Sequence, residues 1–253
     1  MNPFRQLATA LLFACIAAPI TAQALTVNAS DRGWYRYNYG NGLIEADANN
    51  LNYLAGLGAV NSTTLGATRN YFAFNLTAYA GQTFNSATLH LYNPKPGDVN
   101  GSATVGGFYQ YMPAANAPSY ETYEVRQVTS DINSLLNASA GWTGFNDLGD
   151  GAIFGSYNAT LADNGTFIDI ILNADGLAAL NAAVGEWFVV GGRLSTATLG
   201  IGTQTLFGFS NQNNLADTQL VLTQAVPEPG TFSIALLGLS LIGFTALRSR
   251  KQK

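Results

Sequence analysis

Three kinds of residue in this sequence bear chemistry: one histidine, a scatter of carboxylates, and rows of aromatic side chains. His90 is the only histidine among 253 residues, so any imidazole acid–base step must run through it. It alternates with Thr88 and Tyr92 along a strand-like segment, a pattern that predicts a solvent-facing side chain. No Gly-x-Ser-x-Gly segment offers it a nucleophile. Paired carboxylates suit glycoside hydrolysis when they flank a cleft. The pairs Glu45/Asp47 and Glu121/Glu124 are near neighbours in sequence, and nothing in the pattern sets either across a cleft.

Calcium and sugar are better served. Asn146-Asp147-Leu148-Gly149-Asp150-Gly151 reads as a turn rich in hard oxygen ligands, and Asp163-Asn164-Gly165 offers more. Asp147, Asp150 and Asp163 are therefore the candidate ligands of a structural calcium ion, without the length or closing Glu of an EF-hand. No other cofactor has ligands here. In Trp34-Tyr35-Arg36-Tyr37-Asn38-Tyr39, alternation puts Tyr35, Tyr37 and Tyr39 on one face and Trp34, Arg36 and Asn38 on the other. An exposed aromatic row stacks on pyranose rings while Arg and Asn bond hydroxyls. Trp34, Tyr35, Tyr37, Tyr39 and Trp142 are the candidate carbohydrate-binding residues, against the alternative that one face simply packs the core. Trp187, within Glu186-Trp187-Phe188-Val189-Val190, reads as core.

These residues need a scaffold, and the scaffold reads as β. From Arg69 to Leu76, Phe72, Phe74 and Leu76 fall on one face and Tyr71, Ala73 and Asn75 on the other. Ala87, Leu89 and Leu91 alternate in the same way with Thr88, His90 and Tyr92. Thr166–Leu172, Trp187–Val190, Thr205–Phe209 and Gln219–Leu222 are further apolar strands, separated by Gly-, Asn- and Pro-rich breaks. Two short helices interrupt them. One is capped at Ser130-Asp131 and runs through Leu136; the other is capped by Asn173 and covers Ala174–Ala183. Many short strands with few helices predict a single all-β sandwich over residues 25–225.

Composition narrows the function classes. Charged residues are 10% of the chain, and 11 Lys and Arg face 15 Asp and Glu. Such a chain is no nucleic-acid binder. One cysteine and one histidine exclude a Cys/His zinc site and any intrachain disulfide. Without its two ends the domain keeps six basic and fourteen acidic residues, near −8. A strongly acidic polymer is repelled on average by such a surface unless arginines cluster locally.

Both ends are addresses. A basic start, an apolar stretch from Leu7 to Ile20 and the small-x-small Ala22-Gln23-Ala24 make residues 1–24 a secretory signal peptide, cleaved at Ala22/Ala24. The one cysteine, Cys15, lies within it. At the other end, residues 226–253 hold Pro227-Glu228-Pro229, an uncharged apolar run from Thr231 to Leu247, and then Arg248, Arg250, Lys251 and Lys253. Seventeen residues rising ~1.5 Å each span about 26 Å, enough for one transmembrane helix. The cationic tail at 248–253 would stay in the cytoplasm, leaving the domain outside.

This three-part tail resembles the PEP-CTERM sorting signal of Gram-negative bacteria. The resemblance implies that a membrane-embedded exosortase recognises Pro227, Glu228 and Pro229 and cleaves there, so the anchor is transient; a permanent anchor is the alternative. Segments within residues 27–92, notably Arg69-Asn70-Tyr71-Phe72-Ala73-Phe74 and Ser86-Ala87-Thr88-Leu89-His90-Leu91-Tyr92, resemble DNRLRE-type carbohydrate-binding jelly rolls. Gly191-Gly192-Arg193-Leu194 looks like a segment recurring in PEP-CTERM ectodomains. The expectation is an exported surface or matrix protein with a structural, adhesive or exopolysaccharide-associated role and no catalytic residues. A carbohydrate-active jelly-roll lyase or hydrolase is the alternative.

Overall fold

Apolar residues at every second position oblige each strand to turn one face away from water. A computed structural model describes residues 24–59, 65–95, 107–111, 120–199, 203–208 and 214–224, and Ala24–Gln224 forms a compact unit. Ala22, the Pro227-Glu228-Pro229 motif, the 231–247 span and the basic tail lie outside the described residues; Ala24 opens the first strand. Among the described residues no helix is long and apolar enough to cross a membrane.

Those residues form two antiparallel sheets. One has the spatial order β1 (Ala24–Asn28), β13 (Thr218–Gln224), β6 (Phe84–Asn93), β10 (Thr166–Ile171). Its register aligns Val27, Leu220, Leu89 and Ile170 in a row across all four strands. The facing sheet runs β7 (Gly107–Tyr111), β12 (Thr203–Gly208), β4 (Ala55–Ala59), β5 (Leu65–Asn75), β11 (Trp187–Leu194), β8 (Glu121–Gln127), β9 (Ile153–Ala159). β2 (Asp31–Asn38) pairs with β5, and β3 (Leu43–Ala46) pairs with β2. Phe72, Phe74, Tyr123, Val125, Phe188 and Val190 meet the Leu and Ile rows of the first sheet in one core. The expected all-β sandwich is present, with the alternation at Phe72/Phe74 and Ala87/Leu89/Leu91 on its core face.

Among the described residues, three α-helices decorate it. In α1 (Ile132–Leu136) the Asp131 carboxylate accepts from the Ser134 amide, and in α3 (Ala174–Ala182) Asn173 accepts from that of Gly176, as expected of these caps. The third, α2 (Gly141–Asp150), stands where the sequence predicts a loop. Its three glycines are poor helix formers, but two of them let it pack closely, one on Arg69 of the sheet and one on Leu135 of α1. A Cβ on Gly149 would lie 2.6 Å from the Arg69 guanidinium, and one on Gly144 would lie 3.3 Å from Leu135. α1 and α2 cover the outer face of the larger sheet, enclosing a second small core of Tyr35, Tyr71, Leu135, Phe145 and Leu148.

The larger sheet forks at β5. β2 occupies one edge from Gly66 to Ala73. The other edge is shared: β11 takes Asn70–Asn75, and β4 takes Leu65–Thr68. Arg69 stands at the parting point.

Candidate functional site

The odd residues of β2 face outward toward the helices, as alternation predicts, but they meet different fates. Tyr35 is 1% exposed and its hydroxyl donates to the Leu135 carbonyl at 2.9 Å. It is a core residue, so its reading as a sugar contact is corrected: α1 and α2 lie directly over it. Tyr37 is half-buried, with ring centroids 4.8 Å from Tyr39 and 4.7 Å from Trp142. Trp142, on α2, is 49% exposed and Tyr39 is 41% exposed. Trp142 and Phe145, three positions apart on that helix, share a side and pack edge to face at 5.8 Å. The structure thus joins Tyr37, Tyr39 and Trp142 into one open aromatic face. Trp34 lies on the opposite side of β2, where the Arg36 guanidinium sits 4.7 Å from its ring and Glu45 accepts from Asn38.

What lets α2 approach the sheet is Gly191, the outer member of the Gly191-Gly192 pair. On β11 the two point to opposite faces. A Cβ on Gly191 would be 2.7 Å from the Leu148 backbone, so its absence lets α2 rest on the sheet. A Cβ on Gly192 would be 1.8 Å from the Tyr123 hydroxyl, whose hydrogen bond occupies the inner side. Asp147 fastens the helix to the preceding loop, accepting from the amides of Thr129 and Ser130 at 2.7 Å each. Burial alone would raise its carboxyl pKa, but the bonds from Ser130 and Thr129 outweigh that and hold it below the ordinary value.

Beside the aromatic face lies a cleft of about 370 Å³ at the fork of β5, lined by Tyr39, Leu57, Arg69, Arg193, Ser195 and Thr198 among others. Arg69 Nη1 donates to the carbonyls of Phe145 (2.7 Å) and Asn146 (2.9 Å), and its guanidinium covers the Phe145 ring at 4.2 Å. Burial, then the positive charge of Arg193, lowers its pKa, with Asp150 opposing. Glu124 is shared: it accepts from Arg126 Nε at 3.0 Å and Arg193 Nε at 3.1 Å. Burial pushes its pKa up, but those two arginines bring it below the ordinary value. Arg69, Arg126, Arg193 and Phe145 were not among the sequence candidates, and Glu124 was weighed only as half of a carboxylate pair with Glu121. Their signal was strand parity, which puts single arginines on the outward positions of β5, β8 and β11.

The remaining candidates disperse. Asp147 lies in a helix rather than a turn, and Asp163 accepts from Thr160 and from the Tyr157 hydroxyl. Among the described residues, no three His, Cys, Asp or Glu side chains are grouped to hold a metal ion. Glu121 is buried, whereas Glu124, three residues on, faces the outer arginines. Opposite faces of one strand do not make a carboxylate pair. His90 is hydrogen-bonded to Asp169 and stacked on Phe167 at 4.1 Å, on the outer side of the smaller sheet. Trp187 is corrected too: at 37% exposed, on the outward parity of β11, it is a surface residue.

Compared with protein families, residues 225–251 match the PEP-CTERM protein-sorting motif. None of the curated proteins compared with the chain matches it. The motif bears out the resemblance of the tail to a PEP-CTERM sorting signal. Such a motif implies processing by exosortase, a membrane enzyme, and export to the cell surface.

Proposed function

We propose that this exported protein is a non-catalytic surface or matrix module whose β-sandwich associates with exopolysaccharide through the face formed by Tyr37, Tyr39 and Trp142. One observation carries the reading: these rings touch in series at 4.8 and 4.7 Å, and two of the three are more than two-fifths exposed. Single exposed aromatics are ordinary, but a contiguous row of large rings signals recognition. Aromatic faces cover the apolar side of a pyranose at little entropic cost. The role is structural or adhesive and takes no cofactor.

The reading is tested on a glycan array with the full-length chain in detergent micelles. Binding that disappears in Trp142→Ala and Tyr39→Ala supports it; a blank array or unchanged variants sinks it. Cleavage of a bound glycan would establish the lyase or hydrolase alternative instead.

The route of export is part of the proposal. A signal peptide leaves after Ala24, the 231–247 segment anchors the chain briefly, and cleavage near Pro227-Glu228-Pro229 releases it to the outer surface or matrix. Intact mass of the protein recovered from an exosortase-bearing host reads both ends. A mass retaining residues 230–253 refutes the transient anchor.

A further inference from the structure

We infer that the glycan on the aromatic face is acidic, built of carboxylate-bearing sugars, with a carboxylate seated between Arg69 and Arg193 in the cleft at the β5 fork. This rests on the aromatic-face reading. The exported domain has six basic residues against fourteen acidic ones, yet three of the six, Arg69, Arg126 and Arg193, stand close enough for the charge of each of the other two to act on Arg69. Their assembly is electrostatically costly, and Glu124 answers only Arg126 and Arg193. Among the described residues no carboxylate forms an ion pair with Arg69, whose bonds go to two carbonyls and whose face lies on Phe145. The terminal nitrogens of Arg193 make no hydrogen bond to the described residues. A half-buried guanidinium with spare donors is built for a two-oxygen anion, because its planar fork matches a carboxylate.

The cleft also has the right neighbours. Tyr39 belongs to both the aromatic row and the cleft wall, so a chain lying along Trp142, Tyr37 and Tyr39 continues directly to Arg69 and Arg193. Ser195 and Thr198 line the same space and suit sugar hydroxyls. At about 370 Å³ the volume falls in the range of roughly 300–1,000 Å³ usual for small-ligand pockets. The acidic surface elsewhere then works as a filter, repelling a polyanion except where the arginines gather.

The test compares oligogalacturonate with the same oligosaccharide after carboxyl reduction, titrated into the full-length chain in detergent micelles. Wild type should prefer the carboxylated form by about tenfold or more, the worth of one charge-assisted contact, and the preference should shrink as sodium chloride rises. Arg193→Gln should erase the preference while binding the reduced form as wild type does, and Trp142→Ala should abolish binding of both. Equal binding of the two forms by wild type overturns the inference and leaves the aromatic-face reading standing. So does a preference that survives Arg193→Gln. Binding of neither form overturns both.

Discussion

The hydroxyl of Tyr123 donates a 2.7 Å hydrogen bond to Oδ1 of Asn70, deep between the two sheets. The Asn70 amide in turn donates to the Tyr53 carbonyl at 2.7 Å. This polar chain ties β8, β5 and the segment before β4 together inside an apolar core, and full burial drives the Tyr123 phenol far above its ordinary pKa. Removing the hydroxyl leaves Asn70 Oδ1 without its donor. Tyr123→Phe should cost about 1–3 kcal/mol in denaturant unfolding. Gly192→Ala, whose new methyl would occupy the phenol's place, should cost at least as much.

Gly191→Ala should act on the other side of the same strand. Its methyl meets Leu148 backbone, which no rotamer change relieves. Overpacking of this kind costs about 1–3 kcal/mol. Because α2 carries Trp142, the near-ultraviolet circular dichroism of the aromatic face should change as well.

Tyr35 and Trp142 should separate stability from recognition. Tyr35→Ala empties the small core under α1 and α2, a loss of about 3–5 kcal/mol by analogy with other buried aromatics. Trp142→Ala, at an exposed position, should stay within roughly 0.5–1 kcal/mol of wild type and yet abolish glycan binding. Thermal melts beside binding titrations check both.

Asp147 should give the fold an acid-sensitive joint. Its folded-state pKa lies below the ordinary 3.8, so its bonds contribute fully above that value and are lost as pH falls through the folded pKa. Asp147→Ala should therefore be less stable than wild type at pH 7, by about 1–3 kcal/mol for the charge-assisted bonds lost. The difference should hold down to about pH 5 and close below pH 3.8. A gap that does not vary with pH would show that the carboxylate is not the cause.

The two-residue period of Phe72/Phe74 and Leu89/Leu91 made the core faces readable, because burial imposes that alternation directly. The caps Asp131 and Asn173 were readable for the same local reason. α2 was not: its glycines oppose a helix intrinsically, and only packing on Gly191 and Arg69 reverses the balance. Parity placed Tyr35, Tyr37 and Tyr39 together, but which of them α1 and α2 would cover is a tertiary fact. Arg69 and Arg193 meet because β11 crosses to β5 from more than a hundred residues away, and no spacing in the sequence records that meeting.

The pairing of β1 with β13 joins Leu25 to Leu222, the first strand to the last. β1 pairs with no other strand among the described residues, and β13 lies between it and β6, so the smaller sheet is only the β6/β10 pair until the whole domain has been translocated. Closure over so long a separation is entropically late. The sorting motif begins at residue 225, directly after Gln224 ends β13. The last strand of the domain and the start of its sorting motif thus adjoin on the chain. A protein still in transit is unfinished at its first strand, and only one that has emerged as far as its sorting signal can be whole.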